Sequence, residues 1–515
     1  MRRLVVCCDG TWNTSEQMRG DVPCPTNVVR IFHALEQSAD QLCYYHPGVG
    51  TGAGLMDKLA GGSFGTGLSN NVKSAYAWLA ANYRPGGEDA ICLFGFSRGA
   101  FTVRSLAGMI GACGLPSFLA DAEPADRWKA IDALFAAYRP GAVVPDERAV
   151  PIMFLGVWDT VGALGVPASM GLLRIAEDLG HNAPHFHDTR LGARVRHARH
   201  AVAMDEKRGP FVPTLWTNLP LDEPGRTAEQ VWFAGDHCDV GGGHPQTGLS
   251  DCALSWMIKE AQSCVPELRF RPDILAQIRP DPADVLHDDS TGFYRFLGPT
   301  PRATPFLDPR SLPDDPPEGP GKDTIDGVHV SAYRRQAVPP IAIGDYRKGR
   351  VPDRGETVSL DVYAVQPWNW TGLYLVEGEY ELKASGEWLD RTGPHNADGT
   401  QAGRSLPDMF HLTNAAAGWL QESLKNLTRD EAVTFFGSPR LRGARWMALI
   451  GALAAPAFDH AGSQMAYRQF AIPTTGSVLH VAEGAEGYFY AYANDAWGMY
   501  GDNRGSLSLT IKRTA

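Results

Sequence analysis

Cys92-Leu-Phe-Gly-Phe-Ser97-Arg-Gly-Ala100 is the stretch of sequence that decides the fold of the first half of the chain. The apolar run that leads to the serine is too short for a helix and is typical of a strand buried on both faces. Glycines flank the serine at positions 95 and 99, and apolar residues at helical spacing follow. A strand, Gly-x-Ser-x-Gly and a helix, in this order, predict a nucleophile elbow, a turn in which only glycines fit beside the serine.

Such an elbow lifts the Ser97 hydroxyl above the sheet, so Ser97 is the predicted nucleophile. It also positions the backbone N–H of Arg98 to hold an oxyanion. A second N–H is expected from a loop after an adjacent strand, and the loop Asp9-Gly10-Thr11, after the apolar run 4–8, is the best placed. Gly10 and Thr11 are therefore predicted oxyanion donors, and Asp9 is either a supporting residue or a cap of the turn.

The length and composition of the chain limit its function class. Its 515 residues exceed one compact domain, so two or three are expected. An apolar fraction of 44% and a charged fraction of 20% are those of an ordinary globular protein. The net charge of -11 opposes non-specific binding to nucleic acid and to anionic membranes. It leaves open a peripheral contact with lipid through an apolar patch.

The nine cysteines lie at or before Cys264, and none shows the CxxC spacing of a metal site. Their odd number, and the pair Cys7-Cys8 inside an apolar run, predict reduced core thiols and synthesis in a reducing cytoplasm. That N-terminal run is only five residues long, so it favours a strand over a cleavable signal peptide. No apolar stretch is long enough to cross a bilayer. Export would therefore follow a route that reads no cleavable signal.

Apolar runs that read as strands alternate with helical patterns over residues 1–300, which predicts an α/β domain with a mostly parallel sheet. The strand candidates are 4–8, 42–45, 90–94, 151–157, 195–204 and 230–234. The glycine-rich segment 50–67 lacks the ending of a phosphate-binding loop and reads as a flexible loop. Helical insertions after Leu115 and over 169–179 are expected above the sheet, either as a lid whose apolar face meets lipid or as packing helices.

The rest of the chain divides at two changes of composition. Residues 301–355 are rich in Pro, Asp and Arg and predict an irregular wrap or linker. Residues 356–515 combine many aromatic residues with alternating apolar and polar positions, which predicts an antiparallel β-sandwich. The predicted domains are therefore 1–300, 301–355 and 356–515.

An elbow serine needs a base within hydrogen-bond reach and an acid that orients the base. In α/β-hydrolases the order along the chain is Ser, Asp or Glu, then His, each after a strand. Asp159 follows the run 151–157, and His237 lies in the glycine-rich loop after 230–234, so both satisfy order and placement. Asp205 competes as the acid and His287 as the base. The predicted reaction is ester hydrolysis through an acyl-enzyme.

Seven ordered motifs resemble one family, that of α/β-hydrolase domains of unknown function whose characterised members include phospholipase effectors of type VI secretion. The motifs are Asp9-Gly-Thr-Trp-Asn, Pro25-Thr-Asn-Val, Pro47-Gly-Val-Gly-Thr, Gly95-Phe-Ser-Arg-Gly-Ala-Phe, Val157-Trp-Asp-Thr-Val-Gly, Met204-Asp-Glu and Asp236-His-Cys-Asp-Val-Gly-Gly-Gly. The resemblance implies hydrolysis of lipid esters by a lipase or phospholipase and export by a type VI route. It places Ser97, Asp159 and His237 at the triad positions.

A loop near the C-terminus carries Asp495, Asp502 and Asn503, whose oxygens are ligands of the kind that calcium takes. By composition alone this is an Asp/Asn-rich turn. The order of its residues resembles small calcium-dependent bacterial lectins that bind galactose, as do Gly378-Glu-Tyr-Glu-Leu-Lys-Ala-Ser-Gly-Glu-Trp and Ala448-Leu-Ile-Gly-Ala-Leu upstream. The resemblance implies that Asp495, Asp502, Asn503 and the carbonyl of Met499 hold Ca²⁺ and that hydroxyls of a galactose-type glycan complete its shell. The region of Asp390 is a further source of a carbonyl ligand.

The sequence therefore predicts a serine ester hydrolase, a lipase or phospholipase, joined to a β-sandwich that binds calcium and carbohydrate. Two alternatives stay open. One is a carbohydrate acetyl esterase, for which a sugar-binding domain has an immediate use. The other is a non-catalytic, lectin-like binding protein on a hydrolase fold.

Overall fold

The computed structural model describes most of the chain, in segments. The described residues are 2–10, 13–14, 16–48, 64–86, 89–117, 119, 122–138, 150–161, 190–220, 223–290, 298–314, 319–340, 344–399, 439–441, 443–459, 462 and 464–515. The second predicted insertion, 169–179, lies outside them, as does Thr11.

The N-terminal part is built on one large sheet. Its strands, with one separate hairpin of β2 and β3, are β1 (Arg2–Cys8), β2 (Met18–Arg19), β3 (Val22–Pro23), β4 (Gln41–His46), β5 (Asp89–Phe96), β6 (Ile152–Trp158), β7 (Val195–Ala203), β8 (Thr227–Phe233), β9 (Thr324–Ile325) and β10 (Val328–His329). The order in the sheet is β4-β1-β5-β6-β7-β8-β10-β9. Neighbouring strands are parallel except for the last pair, β10 and β9. The predicted α/β class with a mostly parallel sheet is confirmed.

Helices cover both faces of this sheet. They are α1 (Asn27–Ala34), α2 (Phe64–Asn82), α3 (Arg98–Cys113), α4 (Pro124–Ala137), α5 (His237–Gly241), α6 (Gly248–Cys264), α7 (Pro272–Leu275) and α8 (Val330–Ala337). In β1, Leu4 and Val6 pack in the apolar cluster with α2 and α3, whereas Val5 and Cys7 pack on the other face with α1 and α6. Because both faces are covered, the strand is apolar at each of the consecutive residues 4–8 rather than at alternate ones.

The insertion after Leu115 forms α4, and its Ile131 is buried in the same cluster as α2 and α3. Lys73 of α2 also pairs with Asp132 of α4 at 2.8 Å. This helix therefore packs on the domain. The segment predicted as a flexible loop is partly helical, because α2 already begins at Phe64.

The predicted boundary at residue 300 does not match the sheet. Strands β9 and β10 both lie in the segment that was predicted as a linker, and Val328 of β10 pairs with Trp232 of β8. Helix α8 follows directly, with Tyr333 buried. The strands escaped prediction because two residues are too few to show an alternating pattern, and the surrounding sequence is rich in proline and glycine.

The C-terminal part consists of antiparallel sheets. Its strands are β11 (Thr357–Tyr363), β12 (Asn369–Leu375), β13 (Gly378–Ser385), β14 (Trp388–Asp390), β15 (Gly393–His395), β16 (Leu449–Ala454), β17 (Arg468–Ala471), β18 (Ser477–Val481), β19 (Gly487–Ala493) and β20 (Arg504–Arg513). One sheet has the order β15-β14-β20-β13-β18, with β11 also paired to β20, and the other has the order β12-β19-β16-β17. One buried cluster takes side chains from both sheets, for example Leu382 and Leu509 from the first and Leu449 and Phe489 from the second.

All nine cysteines are free thiols. Among the helices that the structure describes, none combines the length and the hydropathy needed to cross a bilayer.

Candidate active site

Ser97 lies in the turn between β5 and α3, in a backbone conformation that side chains rarely adopt, with φ 57° and ψ -122°. A Cβ on Gly95 would lie 2.5 Å from the carbonyl oxygen of Gly99, and a Cβ on Gly99 would lie 2.1 Å from that of Cys8. Neither position has room for a side chain. The close approach of β5, α3 and the end of β1 therefore explains both glycines of the motif.

His237 and Asp159 form a buried pair at the same edge of the sheet. The register aligns Phe96 at the end of β5 with Trp158 at the end of β6, so Ser97 and Asp159 leave neighbouring strands side by side. His237 Nδ1 lies 2.5 Å from Asp159 Oδ2. Asp159 has 0% of its surface exposed and His237 has 3%. Asp159 also has a positive φ of 35°, a strain that concentrates at functional sites.

The ring of His237 is held between two aromatic side chains. Its centroid lies 4.5 Å from that of Phe96, the residue before Ser97, and 4.9 Å from that of Phe211. Gly241 at the end of α5 permits this arrangement, since a Cβ there would lie 1.9 Å from Phe96 Cε2. The first glycine of the Gly-Gly-Gly run thus has a packing reason that the sequence did not reveal.

Asp159 is ionised because a guanidinium lies against it. Burial alone would raise the pKa of this carboxyl, but Arg302 and the hydrogen bond from His237 bring it well below its usual value. Arg302 Nη1 lies 2.6 Å from Asp159 Oδ1, and Arg302 Nη2 lies 2.9 Å from Oδ2. Arg302 comes from the predicted linker, where no motif in the sequence marks it.

A second histidine supports the loop after Asp159. His200 Nε2 accepts the backbone N–H of Thr160 at 3.1 Å, and its Nδ1 lies 3.3 Å from Gln230 Oε1. Burial lowers the pKa of His200 to about 3, so the ring is neutral and can accept. His200 therefore has a structural role.

Two of the predicted oxyanion residues, Arg98 and Gly10, lie beside the elbow. Arg98 is the first residue of α3, at the helix N-terminus that follows Ser97. A Cβ on Gly10 would lie 3.1 Å from Ser97 Cβ, so the loop after β1 does approach the serine. The N–H of Gly10, however, donates to Asp9 Oδ1 at 2.7 Å. Gly10 therefore presents its N–H to a carboxylate in this conformation, which the sequence did not predict.

Asp9 itself is buried and holds the loop together. Its Oδ2 accepts from the hydroxyls of Thr26 and Tyr45, at 2.8 Å and 2.9 Å. Burial raises the pKa of Asp9 to about 6, although these hydrogen bonds favour the ionised form. Asp9 therefore links the loop after β1 to Thr26 and to Tyr45 of β4.

The two competing residues have other partners. Asp205 Oδ1 accepts from Arg347 Nε at 2.9 Å, and its Oδ2 accepts from the backbone N–H of Gly235 at 2.8 Å. His287 Nδ1 lies 2.6 Å from Asp239 Oδ1. Asp205 therefore anchors the start of the loop that carries His237, and His287 pairs with an acid other than Asp159.

The four predicted calcium ligands line one pocket of the C-terminal sheets. The pocket is lined by Asp390, Arg391, Thr392, Trp446, Asp495, Met499, Asp502 and Asn503. Asn503 Nδ2 donates to Asp495 Oδ2 at 2.8 Å, while Asn503 Oδ1 is buried with no hydrogen-bond partner among the described residues. Burial, together with the charges of Asp502 and Asp390, raises the pKa of Asp495 to about 6.

These residues fit a calcium ion. An unpartnered buried oxygen and a carboxylate crowded by like charges are both relieved by a cation with oxygen ligands. Asp390 also lines the pocket, and its Oδ2 accepts from Trp446 Nε1 at 2.9 Å. Arg391 Nε lies 2.5 Å from Asp502 Oδ2 and places a positive charge beside this carboxylate.

Comparisons with known proteins match the N-terminal half of the chain. A family model described as the catalytic domain of Tle1-like phospholipase effectors of the type VI secretion system matches residues 2–260. An uncharacterized protein of Saccharomyces cerevisiae, YEL023C, is 29% identical over 248 residues, which are 42% of this chain and 33% of that protein. The chain thus spans about a third of the length of this curated relative.

Two solved structures are similar over about half of the chain. An uncharacterized protein from Pseudomonas aeruginosa is 18% identical, covers 54% of this chain and 49% of its own, and gives a TM-score of 0.35. The Tle1 effector bound to the VgrG spike of the type VI secretion system is 18% identical, covers 47% and 51%, and gives 0.27. TM-scores of this size carry no argument, so the assignment to a family rests on the family model. Since that model covers half of the chain, the chain belongs to the family of Tle1-like phospholipase effectors of type VI secretion.

Proposed function

We propose that the chain is a serine ester hydrolase of the α/β-hydrolase type that acts on lipid esters, phospholipids above all, through Ser97, His237 and Asp159. The observation that carries the proposal is the 2.5 Å contact between His237 Nδ1 and Asp159 Oδ2, at the sheet edge where Ser97 stands in a strained turn. The choice of lipid follows the printed description of the family.

In the proposed mechanism each residue of the triad has one role. Asp159 accepts a hydrogen bond from the Nδ1–H of His237, which leaves His237 Nε2 free to act as the base. Ser97 Oγ attacks the ester carbonyl and gives its proton to Nε2, and the N–H of Arg98 stabilises the oxyanion. The proton then passes to the leaving alcohol as the acyl-enzyme forms. A water molecule, deprotonated by Nε2 in turn, releases the fatty acid and restores Ser97.

Activity-based labelling tests the proposal directly. A fluorophosphonate should label Ser97, and Ser97→Ala should abolish both labelling and hydrolysis while the thermal midpoint is retained. Long-chain phospholipids compared with short acetyl esters and acetylated sugars separate a phospholipase from a carbohydrate acetyl esterase. An intact protein that shows no Ser97-dependent hydrolysis of any of these would support the non-catalytic binding protein instead.

For the C-terminal sheets, we propose a lectin-like β-sandwich with a calcium site made by Asp495, Asp502, Asn503 and the carbonyl of Met499. The buried, unpartnered Asn503 Oδ1 supports it. A galactose-type glycan would bind to that ion through its hydroxyls. Isothermal titration with calcium alone, and then with galactose in the presence of calcium, tests the two parts separately. If calcium gives a heat of binding and galactose gives none, the proposed calcium site is retained and the proposed glycan site is rejected.

Export by a type VI route follows from the family description. A comparison of culture supernatants from a producing strain with and without a working type VI apparatus tests it. Equal release from both strains would reject this route.

A further inference from the structure

Arg302 is a buried arginine that lies outside residues 2–260, the part matched by the family model. Its two terminal nitrogens hold Asp159 in a bidentate pair, at 2.6 Å and 2.9 Å. The same guanidinium donates to the backbone carbonyls of Ala203, at 2.8 Å, and Phe211, at 2.5 Å. Arg302 thus ties together the loop after β6, the end of β7 and the chain that supplies an aromatic neighbour of His237.

We propose that Arg302 is a positioning residue for the hydrolytic reaction, which fixes the carboxylate of Asp159 and through it sets the orientation and basicity of His237. The inference rests on the proposed function of Ser97, His237 and Asp159.

The hydrogen bonds of Asp159 explain the orientation. Its Oδ1 accepts from Arg302 Nη1 and, at 3.0 Å, from the backbone N–H of Ala203. Its Oδ2 accepts from Arg302 Nη2 and His237 Nδ1. With two donors on each oxygen the carboxylate has one orientation, and Oδ2 faces the imidazole. Without Arg302, Asp159 would keep one backbone donor and His237, and the group would be able to turn about its last side-chain bond.

The charge of Arg302 explains the basicity. A carboxylate with no exposed surface is costly unless it is paired, and a guanidinium stays charged at every working pH. Placed against Asp159, this positive charge also opposes the protonation of His237, since like charges disfavour each other.

The other charged groups near the pair are on different residues. Glu206 Oε2 accepts the backbone N–H of His237 at 3.4 Å and is paired with Arg208 at 2.6 Å. Burial keeps His200 neutral, and the charge of Arg104 lowers its pKa further. Arg302→Gln leaves these four residues unsubstituted, so a change in the pH profile is assigned to Arg302.

The position of Arg302 is secured from the C-terminal sheets. The backbone N–H of the next residue, Ala303, donates to Gln464 Oε1 at 3.0 Å. Ala303 is buried in one cluster with Tyr488 and Tyr490 of β19, and the N–H of Leu307 donates to the Tyr488 hydroxyl at 2.9 Å. The arginine therefore enters the active site on a segment that the second part of the molecule holds.

The test is the pH profile of kcat/KM for ester hydrolysis by the full chain. Arg302→Gln should lower kcat/KM by about 100-fold and move the acid limb upward by about one pH unit. Arg302→Lys keeps the positive charge but loses the bidentate pair. The acid limb of its pH profile should stay near that of the parent, and its kcat/KM should lie between those of the parent and Arg302→Gln. Arg347→Gln is the matched control, because Arg347 is a half-buried arginine of the same segment that pairs with a different acid, Asp205. Its acid limb should not move.

An acid limb of Arg302→Gln that coincides with the parent limb would overturn the proposal. If the parent hydrolyses no ester in a Ser97-dependent way, the proposed function fails first, and thermal unfolding against pH then tests the pairing alone. The pKa of Asp159 is lowered in the folded state, so its contribution to stability is lost only as pH falls through that lowered value. Arg302→Gln should lose stability at a higher pH than the parent, and superimposed curves would reject the pairing.

Discussion

Asn503 gives its side-chain N–H to Asp495, 2.8 Å away, and its own Oδ1 is left buried with no hydrogen-bond partner among the described residues. An unsatisfied buried oxygen costs about 1–3 kcal/mol. The two residues lie at the start and the end of the loop that connects β19 with β20. Together they form half of the proposed cation site, whose other proposed ligands, Met499 and Asp502, are on the same loop.

Calcium should stabilise the protein. At a concentration of about 100 times Kd, the free energy of unfolding should rise by roughly 2.7 kcal/mol, with a matching rise in the Tm. Asn503→Ala should lose this rise because it removes a ligand. Asp361→Asn, on an exposed position of β11, is the control and should keep it. An equal calcium shift in the Asn503 variant would contradict the site.

The affinity for calcium should fall at acid pH. In the absence of metal, burial raises the pKa of Asp495 to about 6, so the carboxyl is protonated below that value and must release its proton to bind the ion. Below about pH 6 the Kd should therefore rise close to tenfold per pH unit. Isothermal titration at several pH values measures this slope. A Kd that stays constant down to about pH 5 would mean that Asp495 is not a ligand.

The elbow glycines should not tolerate a methyl group. In Gly99→Ala the new Cβ would meet the Cys8 carbonyl oxygen at 2.1 Å, so we expect the free energy of unfolding to fall by about 3 kcal/mol or more. Gly111→Ala, in the same helix, is the control, because the nearest atom to its Cβ is 4.0 Å away. The control should gain up to about 1 kcal/mol from helix propensity. Urea denaturation of both variants decides, and equal stability would refute the packing argument.

The choice of catalytic histidine predicts opposite outcomes for two variants. His237→Gln should lower kcat by about 10⁴-fold, because it removes the base that Asp159 orients. His287→Gln should keep kcat within a few-fold of the parent, since His287 is bonded to Asp239. Single-substrate kinetics on both variants provide the comparison. A larger loss in the His287 variant would transfer the role of base to that residue.

The sequence was sufficient where a motif is local. The elbow could be predicted because a strand, two glycines and a helix adjoin one another, and Asp159 and His237 could be placed because each follows its own strand. The competition between His237 and His287 could not be decided, since both lie in acidic loops and only the fold shows which carboxylate each one meets. The N–H of Gly10 was expected for an oxyanion, but its bond to Asp9 depends on side-chain geometry.

Arg302 could not be predicted from a local sequence pattern. It is 143 residues from Asp159 in sequence and lies in a proline-rich segment without periodicity. A contact over that distance leaves no local pattern. Strands β9 and β10 were missed for a related reason, since two-residue strands owe their existence to their partner strands rather than to their own composition. The partner of β10 is β8, and that of β9 is β10.

The bond between Arg302 and Asp159 limits how this chain can recombine. A crossover at residue 300 that exchanged the downstream half for that of another protein would leave Asp159 buried without its counter-ion, at a cost of about 3–5 kcal/mol. The same exchange made after residue 350 would keep the arginine but remove the tyrosines of β19 that hold its segment. A replacement half must therefore carry both an arginine and a surface that seats it, so the C-terminal sheets cannot be exchanged independently of the proposed active site.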